Sequence, residues 1–220
     1  MAKKEKTESS MPLTGQPRWA GDEERQLLGV LQEAESAYED ALLRLSRVYS
    51  KGNRPQEAVP LMERLATVTQ DPEKKAFCHL SVGQLLEQLR EYDMAMEHYS
   101  HALLLEPSNA CSWYFVHNNI GCCLNHAERF EEAEQYCREA IRIDPTRYNA
   151  YINLGVSLEA QERFVEAAKS FLDAMKANAV DIELIEHLEG LVEEHLEIEE
   201  DMGNIRSVLE EFRTEHGFNS

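Results

Sequence analysis

The sequence predicts an all-α fold in which antiparallel helix pairs stack into a solenoid. Three observations carry that expectation. Gly83, Gly121 and Gly155 each open one pattern: a leucine three residues on, an alanine twelve on, a large or sulfur-bearing apolar residue sixteen on, and an alanine nineteen on. The residues filling it are Leu86, Ala95, Tyr99 and Ala102, then Leu124, Ala133, Cys137 and Ala140, then Leu158, Ala167, Phe171 and Ala174. Between these marks the apolar spacing is helical, as where Tyr151, Leu154 and Leu158 share a face and Val165, Ala168, Phe171 and Met175 resume it after a break at residues 162–164. Helices of about 14 residues are marginal alone, so stacking on neighbours must supply stability.

Taken in order, residues 1–21 read as a disordered arm rich in Lys, Ser, Thr and Pro, and MAKKEK lacks the apolar run of a secretory signal. The helical repeat domain then spans residues 22–220. Leu27, Leu28, Leu31, Ala34 and Tyr38 either lengthen the first helix or form one of their own. Residues 39–72 form a degenerate repeat, with Leu42, Leu45 and Tyr49 on its first helix and Ala58, Met62 and Leu65 on its second; Ser46 replaces the glycine and Pro60 lies inside the second helix. The central repeats are 76–109, 114–147 and 148–181. Residues 182–215 keep the facing pattern through Ile182, Ile185, Leu188, Val192, Leu196 and Ile198, turn at 201–204, and continue through Ile205, Val208, Leu209 and Phe212. Fading repeat residues over a persistent apolar face describe a capping segment. The step from Gly83 to Gly121 is 38 residues against 34 for the next. That difference is close to one helical turn. SNACSWYF therefore extends a helix N-terminus, and Trp113, Tyr114 and Phe115 either fill the gap it makes or project as contacts.

The recurring offsets resemble the tetratricopeptide repeat, which implies a right-handed solenoid and a protein-binding function. Pro107 and Pro145 close the first two units as in that family; Ala179 stands where a third proline would, and no unit has the favoured tryptophan near its start. The resemblance implies a groove lined by the first helix of each pair. Mapped onto this chain, it is a polar surface with apolar patches. Asn119 and Asn153 hold one repeat position, 34 residues apart, and amides so placed pair with an extended peptide backbone or hydrogen-bond within the scaffold. The expected peptide-binding set is Asn119, Asn153, Asn149, Gln84, Phe77 and Phe115. The family's clamp for a C-terminal carboxylate needs Lys or Arg where this chain has Leu80, Asn149 and Asn153, so a terminal carboxylate is not the expected ligand.

Composition excludes more than it selects. Lys and Arg number 22 against 41 Asp and Glu, a formal charge of −19, and residues 181–220 alone hold 13 acids and two bases. This field opposes nucleic-acid binding and suits a basic protein or peptide, or serves solubility. No segment is long and apolar enough for membrane insertion. Cys78, Cys111, Cys122, Cys123 and Cys137 lack zinc spacing and an even count, which reads as reduced thiols with no metal and no cofactor. His98 with His101, and His187 with His195, share helix sides without a reactive constellation, and catalytic residues are not expected. The reading is a cytoplasmic, noncatalytic adaptor or chaperone-like scaffold that holds an extended peptide or protein segment. A self-assembling homo-oligomeric scaffold and an acidic bacterial secretion chaperone are the alternatives.

Overall fold

The computed structural model describes residues 18–177 and 181–218, with side chains from Arg25 onward. Residues 1–17 of the expected arm, and the turn at Ala179, lie outside the described residues. Helix α1 spans Arg18–Lys51, so helix already covers residues 18–21. The chain divides into two compact units, one ending at Ala41 and one running from Leu42 onward. In the second unit follow α2 (Pro55–Val68), α3 (Pro72–Gln88), α4 (Tyr92–Leu104), α5 (Ala110–His126), α6 (Phe130–Ile143), α7 (Tyr148–Ala160), α8 (Phe164–Lys176), α9 (Ile182–Glu194), α10 (Leu196–Met202) and α11 (Ile205–Glu215). The described residues contain no strand.

Three helix starts, those of α3, α5 and α9, are fixed by side chains that accept an orphan N–H group of the first turn. Asp71, Asn109 and Asp181 accept from the amides of Glu73, Cys111 and Glu183 at 3.0, 2.8 and 2.9 Å. The longer link before α5 is held by Glu73 of α3, whose carboxylate accepts from the amides of Ser108 (2.9 Å) and Asn109 (3.3 Å). Pro60 is tolerated inside α2, where it is exposed to solvent.

The first helices end alike. Arg90, Glu128 and Glu162 take left-handed backbone (φ 62°, 56° and 59°). The following amide reaches back to the carbonyl of Leu86, Leu124 or Leu158 at 2.9 to 3.0 Å. Asn53 and the bond from Arg54 to Tyr49 (2.9 Å) repeat the motif after α1. This double-bonded helix ending satisfies the last carbonyls and reverses the chain, and glycine is the residue that suits its left-handed position.

The small residue on each first helix lets the second helix close in. A Cβ on Gly83 would collide with the Tyr99 ring, and one on Gly155 with the Phe171 ring; on Gly121 it would lie 2.6 Å from Cys137 Sγ. Ser46 fills this role in the degenerate pair, donating to the Leu43 carbonyl at 2.8 Å with its hydroxyl 3.1 Å from Met62 Sδ. The core is correspondingly distributed: one cluster joins Leu42 to α2–α5 and Ala133 of α6, another joins Cys137 of α6 to α7–α11, and Tyr114, Ala140 and Ala150 form a small group of their own. Tyr114 is fully buried and its oxygen accepts from the amide of Ala150 at 3.3 Å, so it belongs to the core and does not project as a contact. The terminal apolar run is not one helix. It breaks at His195, whose ring stacks on Phe164 at 3.5 Å between centroids.

Gly155→Ala should cost about 1–3 kcal/mol by overpacking against Phe171. Gly190→Ala, inside α9 with nothing within 4 Å of the added Cβ, should instead stabilise by about 0.5–1 kcal/mol through helix propensity. Urea unfolding of the two variants checks the contrast.

Candidate functional site

Phe77, Ser81, Gln84 and Gln88 recur every three to four residues along α3, which puts them on one side of that helix. Leu43, Ser46, Arg47 and Ser50 do the same on the last turns of α1, and Met62 of α2 also lines the space between. They enclose a cavity of about 140 Å³. Ligand pockets run to about 300–1,000 Å³, so this one is sized for a single side chain. Phe77 is 39% exposed at its wall. A wider depression of about 400 Å³ lies among α6, α7 and α8, with Arg138, Lys169, Glu166 and Asp173 in its lining and none of the expected site residues.

The remaining expected residues are placed differently. Asn119 is buried and donates to the Tyr99 hydroxyl at 3.2 Å, while its own oxygen accepts from Asn118 at 2.9 Å. Asn153 donates to Asn118 Oδ1 at 3.1 Å, and Asn125 donates to the Asn153 carbonyl at 2.8 Å. Ser157 donates to Asn125 Oδ1 at 2.7 Å. The amides thus form a lattice between α5 and α7 in which Asn118, outside the expected set, is the centre. Asn119 and Asn153 belong to the scaffold's own hydrogen bonding, the alternative that their spacing left open. Phe115 is half-buried beneath the Arg147 guanidinium, 4.9 Å from the ring centre, and only Asn149 stands exposed. Phe77 and Gln84 are therefore the two expected residues that share a cavity.

The lattice ends on a carboxylate. Tyr99, whose ring passes over Gly83, donates its hydroxyl to Glu87 Oε2 at 2.6 Å. Burial raises the Glu87 carboxyl above the usual range, although bonds from Tyr99 and the nearby cysteines oppose the shift. Burial also pushes the Cys122 and Cys137 thiols up to about 12, so both are protonated at neutral pH. All five cysteines are free. His79, His98 and His101 cluster at 5.1 to 6.2 Å between ring centres, and burial first, then the field of His98, pushes His79 down to about 4. Among the described residues no group of His, Cys, Asp and Glu is arranged to hold a metal, and no helix is long and apolar enough to cross a membrane.

This geometry agrees with the comparisons to known proteins. The tetratricopeptide repeat family is matched over residues 41–76, 78–109 and 114–147. The chain carries tetratricopeptide repeats over these residues. Among curated relatives, the BBSome complex member BBS4 homolog of Drosophila melanogaster is 28% identical over 128 residues, covering 58% of this chain and 25% of the relative. A peroxisomal targeting signal receptor of Eremothecium gossypii is 31% identical over 110 residues, covering 50% and 19%. The chain thus spans a quarter or less of the length of these relatives. Among solved structures, a MamA RS-1 double mutant superposes with a TM-score of 0.65 at 17% identity, over 83% of this chain and 98% of that one. Pseudomonas aeruginosa pilF gives 0.63 at 20%, over 85% and 80%. At such identities the likeness shows the fold.

Glu87 supplies a pH test. Its folded pKa lies above its unfolded value, so its favourable contribution is complete below the unfolded pKa, near 4.5, and is lost as pH rises through the folded pKa. Glu87→Gln should therefore gain stability relative to the native protein at neutral pH, and the gain should shrink as pH approaches 4.5. Tyr99→Phe, which leaves the buried carboxylate without its hydroxyl donor, should cost about 1–3 kcal/mol at pH 7. Denaturant melts of both variants across pH test these signs.

Proposed function

We propose that this protein is a noncatalytic adaptor whose first-helix face takes an extended segment of a partner protein, with the α1–α3 cavity as its anchor point. The observation that carries this reading is the cavity beside Phe77 and Gln84. It offers an aromatic wall, amide groups from Gln84 and Gln88, and room for one side chain, which is the way extended peptides are read through pockets for individual side chains. The repeats, which are those of a family of protein-interaction scaffolds, support the same class of function. The amide lattice supports it indirectly: a surface whose polar groups are already bonded to one another stays fixed and loses less entropy on binding.

The partner is proposed to be basic. The formal charge of −19 attracts cations, and the acidic segment at residues 181–211 would hasten encounter. Steering of this kind acts on the association rate and is screened over about 8 Å at physiological salt, so affinity comes from the packed cavity.

A peptide selected from a random library against the purified protein tests the reading. Phe77→Ala should weaken such a peptide about tenfold or more, as for an aromatic contact at a binding surface. Met94→Ala, at an exposed site on α4, should leave it unchanged, and raising salt should slow association. Equal binding by both variants, or selection of peptides insensitive to Phe77→Ala, would reject the cavity as the anchor.

A further inference from the structure

Helix α1 carries a second apolar feature that the cavity does not use. Leu27, Leu31, Ala34, Tyr38, Ala41, Leu45 and Val48 follow one another at alternating steps of four and three, without a polar interruption. That spacing is the seam of a two-stranded coiled coil, where residues at the a and d positions of a seven-residue repeat line one edge of the helix. Every one of the seven is exposed, with Leu27 at 57%, Leu31 at 58% and Val48 at 62%. Leu28 and Val30, also exposed, widen the stripe. The residues of α1 that are buried or line the cavity, Leu42, Leu43, Ser46, Arg47 and Ser50, are none of them seam positions.

Charge along the helix favours one occupant. Between residues 33 and 40 the charged side chains are Glu33, Glu35, Glu39 and Asp40, all acidic, whereas from 41 to 51 they are Arg44, Arg47 and Lys51, all basic. A second α1 laid parallel would set acid on acid and base on base. Laid antiparallel, it sets the acidic stretch against the basic one. Size agrees in the same arrangement. When Ala41 of one copy faces Tyr38 of the other, Ala34 faces Leu45 and Leu31 faces Val48, so each small residue meets a large one.

We propose that α1 is a homodimerisation element that pairs antiparallel with α1 of a second copy of this chain through the seam from Leu31 to Val48. The pairing covers the exposed stripe and leaves the α1–α3 cavity to its own ligand, because the cavity residues and the seam lie on different sides of the helix.

Sedimentation velocity of the full chain over a wide concentration range should show a monomer–dimer equilibrium. Leu31→Glu, at an exposed position, should weaken the dimer about a hundredfold or more, on the scale of a buried interface anchor, with the helical circular dichroism signal of the folded protein retained. Orientation is read by oxidising a mixture of two variants in a Cys111→Ser background, one carrying Ala34→Cys and the other Leu45→Cys. Disulfides joining the two different variants are expected. A protein that stays monomeric at all concentrations, a dimer indifferent to Leu31→Glu, or disulfides formed only within each variant would each overturn the proposal. A stripe covered by residues 1–17 of the same chain or by a different protein would show itself as the first of these outcomes.

Discussion

The structure depends on how closely the two helices of a pair can approach. At Gly83, Gly121 and Gly155 the missing Cβ is the space into which Tyr99, Cys137 and Phe171 fit, and no single helix of 13 or 14 residues would be stable without that contact. The size of the inserted group varies while the small residue persists. Tyrosine and phenylalanine fill the first and third crossings, cysteine the second, and in the degenerate pair Ser46 meets Met62, with the serine hydroxyl satisfied by a carbonyl one turn back. What is constrained is the distance between helices; the identity of the filler is secondary.

That constraint reaches the first-helix face through Tyr99. Because its ring lies over Gly83, its hydroxyl emerges beside Glu87 and Asn119, and a packing contact becomes the start of a hydrogen-bonded row running through Asn118 and Asn153 into the next pair. Phe171, the corresponding residue of the third crossing, has no hydroxyl and starts no such row. The row fixes α3, α5 and α7 relative to one another with bonds that are short and largely shielded from water, where each is worth more than at the surface. It also explains why a carboxylate is tolerated so far inside: Glu87 is costly to bury, and the tyrosine hydroxyl at 2.6 Å offsets part of that cost.

Much of the fold was legible because it rests on residues that only one environment suits. A glycine followed sixteen residues later by a bulky apolar group means close helix crossing, and its repetition means stacking. The turns were less legible. Arg90, Glu128 and Glu162 occupy left-handed positions where glycine is the usual signal, so the sequence shows a pause in apolar spacing and not the motif that causes it. The break at His195 was hidden for a related reason, since the apolar pattern runs through it and the ring stacking on Phe164 is a tertiary contact. At the candidate site, repeat position placed Phe77 and Gln84 on one side of α3, where they line the same cavity, but it could not say that Asn119 and Asn153 would meet through Asn118. Periodicity gives direction from a helix axis, whereas hydrogen bonding depends on what the neighbouring helix presents.

The two surfaces proposed for binding differ in what their periodicity presents. Along α3 and the end of α1, polar and apolar groups alternate around a space of about 140 Å³, a surface that reads one side chain at a time. Along α1, seven apolar residues hold one edge with charge segregated by position, a surface that matches another helix over its length. Helical geometry lets both occupy one element without competing, since residues at a and d and residues at b, c and f point to different sides. Each of the two proposed faces is specified by its own periodicity, and neither needs a central cleft.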